Sequence, residues 1–443
     1  MGSRVYLETY GCQMNLADTE LVLGELASHG FSRVRDVDEA DVILLNTCAI
    51  REHAENRVVG RLTQLLPHKL RKPHVKIGVL GCMAQHYRTR LVDRLGFVDL
   101  VLGPDEYRSL PGLLRADHER DPMFAVRLGG EETYAEIAPQ RTSGVRAWVS
   151  VMRGCDKFCS FCIVPFVRGR ERSLPLPILL EQTRTAAAAG FREVVFLGQT
   201  VNAYHDGEND FADLLGAAAR IEGLERIRFT SPHPSDMTDA VIDAIASESK
   251  VCPQLHLPLQ SASDAVLERM GRGYTIAEYD TLVQRLRDRK VGIELSTDVI
   301  VGFPGETDAD FQATRDYLHE TGYDHAFLFA YSAREGTRAA RWAETVSPEE
   351  KQARLDEVIR LQEAIGAERS RAWIGRTVEV LVEGPAKRPA GWWSGKSAEF
   401  KTTVFPSGRS RAGDLVRVVI RHSTAHTLIG ERADVAREVG ASA

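Results

Sequence analysis

Short apolar runs alternate with longer amphipathic stretches, and the alternation occurs twice along the chain. Between residues 4 and 115 it reads "RVYLETYGC" then "NLADTELVLGELASHG", "DVILLNTC" then "REHAENRVVGRLTQLL", "KIGVLGC" then "AQHYRTRLVDRLG", and "VDLVLGP" then "EYRSLPGLLRA". Strand-length runs joined by helix-length crossovers lie parallel, with helices covering the sheet. The pattern therefore predicts an α/β fold. Each of the first three runs ends in a cysteine. In open α/β sheets the carboxyl ends of neighbouring strands face one crevice, so Cys12, Cys48 and Cys82 converge there although 36 and 34 residues separate them.

The second alternation supplies "AWVSVM", "EVVFLGQ", "RIRFTS", "QLHLPLQ", "IELSTDVIVGF" and "HAFLFAYS" as strands, with helical stretches such as "LPILLEQTRTAAAAG" between them. Six βα units predict a partial (β/α)6 barrel of the TIM type, with its chemistry at the carboxyl ends of the strands. The 443 residues exceed the roughly 250 to 300 that one core holds, so several domains are expected. Residues from about 116 to 144 are turn-rich and without sustained periodicity, which reads as a connector. "SPEEKQARLDEVIRLQEAIGAERSRAWIG" has helical spacing and dense charge, a long helix leading out of the barrel. Beyond it "RTVEVLVEG", "EFKTTVFP", "GDLVRVVIRHS" and "AHTLIGE" alternate with Gly, Pro and Ser, as in a small antiparallel β-barrel. The expected limits are 1–118 for a Rossmann-like parallel α/β domain, 119–144 for the connector, 145–372 for the partial barrel and 373–436 for the terminal β-barrel.

No run approaches the ~18 apolar residues of a membrane span and the start lacks the pattern of a secretory signal, so a cytoplasmic protein without a membrane partner is expected. A net charge of -6 excludes a polybasic nucleic-acid coat, yet residues 374–431 carry nine Lys plus Arg against five Asp plus Glu, a local +4. Seven cysteines in a large intracellular chain point to metal or catalysis rather than disulfides. Cys252 stands alone and reads as a small buried hydrophobe.

Cys155, Cys159 and Cys162 are spaced C-x3-C-x2-C directly after a predicted strand. Thiolates at this spacing wrap one face of a [4Fe-4S] cubane and leave the fourth iron open to a small chelating molecule. A zinc site, the alternative, normally closes four ligands, and no histidine stands at a suitable local offset. Taken singly, Cys12, Cys48 and Cys82 would be core residues; three consecutive strand ends make coincidence an unsatisfying account.

The cysteine loop, with Phe161 just before its last cysteine, resembles the radical S-adenosylmethionine (SAM) superfamily, whose open iron chelates SAM. The resemblance implies that Phe161 and, in "FLGQ", Gly198 and Gln199 bind the cofactor, and that Gly302, Pro304 and Gly305 of "IVGFPGE" lie near its adenine. "YGCQMN", "NTCAIREHAE" and "GCMAQ" resemble the three cysteine motifs of the methylthiotransferases, where they hold a second [4Fe-4S] cluster. The terminal segment is similar to the TRAM RNA-binding domain. Together these imply two [4Fe-4S] clusters and SAM as cofactors. "CQMN", "REHAE", "RGRE" and "LGQTVNAY" most resemble the branch that places a methylthio group at carbon 2 of isopentenylated adenosine next to the anticodon. That branch implies the anticodon loop of tRNA, an electron donor such as flavodoxin or ferredoxin, and a sulfur source as partners. The same chemistry on threonylcarbamoylated adenosine or on a ribosomal protein fits these motifs less well, and a non-catalytic iron-sulfur RNA-binding protein needs neither an open iron nor SAM motifs.

Arg168, Arg170 and Arg172 follow the loop closely and are expected to meet phosphates or stack with an extruded base, the alternative being a solvated face with Glu171 paired among them. Trp392, with Trp393 and Phe400, offers stacking surface for RNA, or closes the small core. His233 and His256 are expected at the active end, either lining the SAM pocket or in hydrogen-bonded structural roles, and Glu306 as a helix cap. Two departures from the family stand out: Ala262 replaces a common glycine, and "SGKSAEFKTTVFPSG" differs from the usual TRAM pattern.

Overall fold

The computed structural model describes residues 3–49, 52–116, 121–141 and 144–433, so part of the "REHAE" motif lies outside the described residues. The amino-terminal unit is a six-stranded, all-parallel sheet. Its spatial order is Ser32–Arg33, Arg4–Tyr10, Val42–Thr47, Lys76–Gly81, Leu100–Leu102, Met123–Ala125. Val42–Thr47 is buried at every position, as a continuous apolar run in a sheet covered on both faces must be. The helices Gln13–Ser28 and Glu52–Arg71 follow the first and central strands, as the alternation predicts.

The expected connector belongs partly to this unit. Met123–Ala125 pairs in parallel with Leu100–Leu102, and Tyr134 and Ile137 fill the amino-terminal core. A three-residue strand is too short for periodicity to register.

The six strands of the second unit form two parallel sheets of three. Arg226–Phe229, Glu193–Leu197 and Arg146–Ser150 make one, and Gln254–His256, Glu294–Val301 and His325–Ala330 the other. Val251, beside Ile227 in an isolated bridge, joins them into the incomplete barrel. One hydrophobic core lies between these strands and their covering helices. The long helix Pro348–Arg371 returns along the barrel and buries Val358 and Ile365.

The carboxyl-terminal unit is a closed five-stranded barrel. Four of its pairings are antiparallel, and Thr402–Pro406 closes it by pairing in parallel with Thr427–Arg432. It docks at the amino ends of the partial-barrel strands: Arg226 Nη1 donates to the Lys396 carbonyl at 2.7 Å and Arg228 Nη2 to that of Ser397 at 2.8 Å. The amino-terminal unit packs elsewhere, with Cys12, Met14 and Ala17 against Trp148, Val195 and Leu197. Among the described residues no helix is long and apolar enough to cross a membrane.

Candidate active site

The loop after Arg146–Ser150 carries Cys155, Cys159 and Cys162 between the short antiparallel strands Met152–Arg153 and Arg172–Ser173. Its sulfurs already have polar company. Cys155 Sγ lies 3.1 Å from the Thr200 hydroxyl, and Cys159 Sγ accepts from Arg272 Nη1 at 3.4 Å. Arg272 is itself buried and donates its Nε to the Tyr274 hydroxyl at 3.1 Å. Burial, followed by the charge of Cys159, pushes the Cys162 thiol up to about 12. All three sulfurs therefore share one electrostatic neighbourhood. Among the described residues no three His, Cys, Asp or Glu side chains close around a single metal ion.

The strand ends of the amino-terminal unit bring the second triplet together. Cys12 caps the helix Gln13–Ser28, and Cys82 opens the helix Cys82–Tyr87. Side chains tie the three ends across the sequence: Asn15 Nδ2 donates to the Thr47 carbonyl at 3.2 Å, and Thr47 Oγ1 to that of Leu80 at 2.7 Å. Cys12 Sγ donates to Asn15 Oδ1 at 3.4 Å, and Arg168 Nε donates to Cys82 Sγ at 3.2 Å. A hydrogen bond with Cys48, followed by the charge of Arg168 acting against burial, pulls the Cys12 thiol down to about 6. Cys252 is buried far from both groups, beside Arg228 and Glu193 at the opposite end of the barrel.

The residues expected to bind the cofactor surround the cysteine loop. Phe161 packs edge-on against Phe303 at 6.3 Å, and Gln199 Oε1 is buried without a partner among the described residues. Gly198 admits the Met152 side chain, whose Cγ would stand 2.7 Å from an added Cβ. Gly302 and Gly305 have φ of +69° and +90° and let Lys351 and Arg269 approach, while the Pro304 carbonyl accepts from Arg269 Nε at 2.9 Å. His233 Nδ1 accepts from the Ser235 amide at 3.3 Å, which leaves a proton on Nε2, a buried atom with no partner among the described residues. Burial, then Arg272 and Lys157, lowers His233 to about 2, so the ring is neutral. His256 spans Ser296 and Asp298 with both ring nitrogens.

Three expectations change. Glu306 is no helix cap: Thr307 takes that place, and Glu306 accepts from the Gly302 amide at 2.8 Å and pairs with Arg354 at 2.6 Å. Arg168 and Arg172 are buried rather than turned to solvent. They are 4% and 9% exposed, held by Asp18 at 2.7 Å and Asp105 at 2.8 Å of the amino-terminal unit. Arg170 alone of the three stays exposed, paired with Asp156 at 2.8 Å and with its guanidinium 5.2 Å from the Phe158 ring, which with Phe166 is among the exposed aromatics. Phe400 lies under Arg146, Arg228 and Lys396 where the terminal barrel docks, Trp393 packs on that barrel's core, and Trp392 is half-buried beside it.

Sequence reasoning also passed over Asp18, Arg153, Arg272 and Thr200. Thr200 follows "FLGQ" directly and Asp18 lies six residues past Cys12, so proximity to the motifs was the available signal.

Residues 149–318 match the radical SAM superfamily, and residues 4–103 match uncharacterized protein family UPF0004. The tRNA-2-methylthio-N(6)-dimethylallyladenosine synthase of Chloroherpeton thalassium is 45% identical over 431 residues, covering 97% of this chain and 96% of its own. The enzyme of the same name from Chlorobium luteolum is 43% identical over 444 residues and 98% of each chain. The solved radical S-adenosylmethionine methyltransferase TsrM of Kitasatospora setae overlays 77% of each chain with a TM-score of 0.58 at 15% identity, a likeness of fold. This chain belongs to the tRNA-2-methylthio-N(6)-dimethylallyladenosine synthase family of radical SAM enzymes.

Proposed function

We infer that this protein is a tRNA methylthiotransferase that inserts a methylthio group at carbon 2 of N6-isopentenyladenosine next to the anticodon. The observation that carries this reading is the full-length relationship to synthases of that name. The two cysteine triplets agree with it. Each offers three soft thiols to one iron-sulfur cluster, Cys155, Cys159 and Cys162 in the barrel and Cys12, Cys48 and Cys82 in the amino-terminal unit. Buried polar atoms need partners, and the free Gln199 Oε1 and His233 Nε2 beside the cysteine loop suit a polar ligand such as SAM.

A C–H bond at carbon 2 of adenine has no acidic proton, so side-chain acids and bases alone leave it intact. Held by these two triplets, the [4Fe-4S] clusters with SAM would supply the one-electron chemistry, the sulfur and the methyl group. The chain's own residues bind and enclose. Arg272 and Thr200 hold the sulfurs of Cys159 and Cys155, and Met14 and Ala17 cover Trp148, Val195 and Leu197, which excludes water. Arg170, with Phe158 and Phe166, offers the anticodon loop a cation and two faces for stacking. The electron comes from a flavodoxin- or ferredoxin-type donor, and a separate sulfur source replenishes the sulfur that each turnover consumes, in the cytoplasm where tRNA is modified.

Nucleoside analysis of tRNA from a strain lacking this protein tests the reading. Isopentenyladenosine should accumulate while its methylthio derivative disappears. Unchanged tRNA, with the loss falling instead on threonylcarbamoyladenosine or on a ribosomal protein, refutes it.

A further inference from the structure

One buried side chain joins the two sulfur groups. Arg168 ends the short helix Val164–Arg168, which starts two residues after Cys162, yet its guanidinium reaches into the amino-terminal unit. Nε donates to Cys82 Sγ at 3.2 Å and Nη2 meets Asp18 Oδ2 at 2.7 Å. Nη1 is buried and has no partner among the described residues. The other Asp18 oxygen faces Arg153 Nη2 at 2.9 Å, and the Tyr107 hydroxyl donates to Asp18 Oδ2 at 3.4 Å.

The local charges do not cancel. Among the described residues three guanidinium groups, Arg153, Arg168 and Arg172, face two carboxylates, Asp18 and Asp105, and all five side chains are under one-tenth exposed. One positive charge is in excess, and Arg168 shares Asp18 with Arg153. A buried cation in excess is costly unless an anion accompanies it. The group it touches is the sulfur of Cys82, with one donor of the guanidinium still unused.

We propose that Arg168 is a positioning residue that sets the reduction potential of the amino-terminal iron-sulfur site, holding the Cys82 thiolate from the barrel side of the domain interface. The proposal rests on the reading that Cys12, Cys48 and Cys82 bind a cluster. A cationic N–H donor on a ligand sulfur favours the reduced, more negative state and so raises the potential. Because the same side chain stems from the helix that follows the barrel cysteines, it also fixes the Cys82 corner relative to them.

The test uses the full chain with Cys155, Cys159 and Cys162 replaced by alanine, so that iron binds only at the amino-terminal site. About four iron atoms per chain are expected after anaerobic reconstitution. No iron in this parent overturns the ligand reading itself, independently of Arg168. Given iron, an EPR-monitored redox titration is compared between the parent, Arg168→Met and Arg168→Lys. Arg168→Met leaves Asp18 paired with Arg153 and is expected to shift the reduction equilibrium at least about tenfold toward the oxidised form, a potential about 59 mV more negative. Arg168→Lys keeps the charge but loses Nε, and should shift the same way by less. Equal potentials in parent and variants at equal iron content overturn the proposal, since a purely structural tie would not move the potential. Should Arg168→Met fail to fold, Arg168→Lys decides: a lowered potential supports the role and an unchanged one refutes it.

Discussion

Glu193 should prove the keystone of the terminal barrel's docking. It opens the strand Glu193–Leu197, is fully buried, and accepts from both Arg146 and Arg228, the latter at 2.9 Å. Those arginines carry the contact onward: Arg228 donates to the carbonyls of Ser397 at 2.8 Å and Ala398 at 2.9 Å, and Arg146 pairs with Glu383 at 2.9 Å. Glu193→Gln keeps the shape and removes the charge. Two bonds between guanidinium and carboxylate, each worth about 1.5–3 kcal/mol, become at best one from a guanidinium to a neutral oxygen, while both arginines keep their other partners, so the net loss is about 3 kcal/mol. With a urea dependence of about 1–3 kcal/mol per molar, the unfolding midpoint followed by tryptophan fluorescence falls by about 1 M or more. The pH signature adds a second check. Burial alone would raise this carboxyl, but Arg228 and Arg146 outweigh it and hold the carboxyl below its ordinary range. A carboxyl lowered by folding adds stability that is present in full above its unfolded value near pH ~4.3 and is lost as pH falls toward the folded value. The gap between wild type and variant should therefore be full at pH 7 and close only in acid. A gap under about 1 kcal/mol at pH 7 refutes the reasoning.

Two further outcomes follow from local geometry. Gly154 has φ of +83°, and a Cβ there would lie 1.9 Å from the Arg170 carbonyl oxygen, so Gly154→Ala must displace the cysteine loop. Anaerobically reconstituted protein should then fall from about eight iron atoms to about four per chain, and form no 5'-deoxyadenosine; full iron content would show that the loop tolerates the change. Glu20 is pushed up to about 7 by burial, which Arg141 at 3.9 Å relieves only in part. The folded state then binds the proton more tightly than the unfolded chain, so this group makes stability fall as pH rises from about 4.5 to 7. Glu20→Gln should flatten that slope and raise the thermal midpoint at pH 8, whereas parallel pH curves for the two proteins would refute it.

Much of the architecture was legible because it depends on local pattern. A period-2 or continuous apolar run and a 3.6-residue amphipathic one differ over a few residues, and both alternations appear as parallel strands and helices. Cys12, Cys48 and Cys82 were legible as a group because they follow strands that pair side by side. The strand Met123–Ala125 was not, since three residues carry no period. Composition marked Phe400 as stacking surface, but it could not carry that the ring, still 40% exposed, meets the arginines of another domain.

The "RGRER" run shows where the boundary falls. The sequence by itself determined which cysteines stand together, because spacing within a loop and placement at strand ends are built into the covalent chain and its regular elements. It also determined that cations follow the loop. Only the tertiary structure decided what those cations do, because a charge's partner is whichever group folding brings opposite it. For Arg168 that group is Asp18, 150 residues away. Desolvation at the domain interface turned two of three arginines from candidate RNA contacts into buried ties, and left Arg170 at the surface.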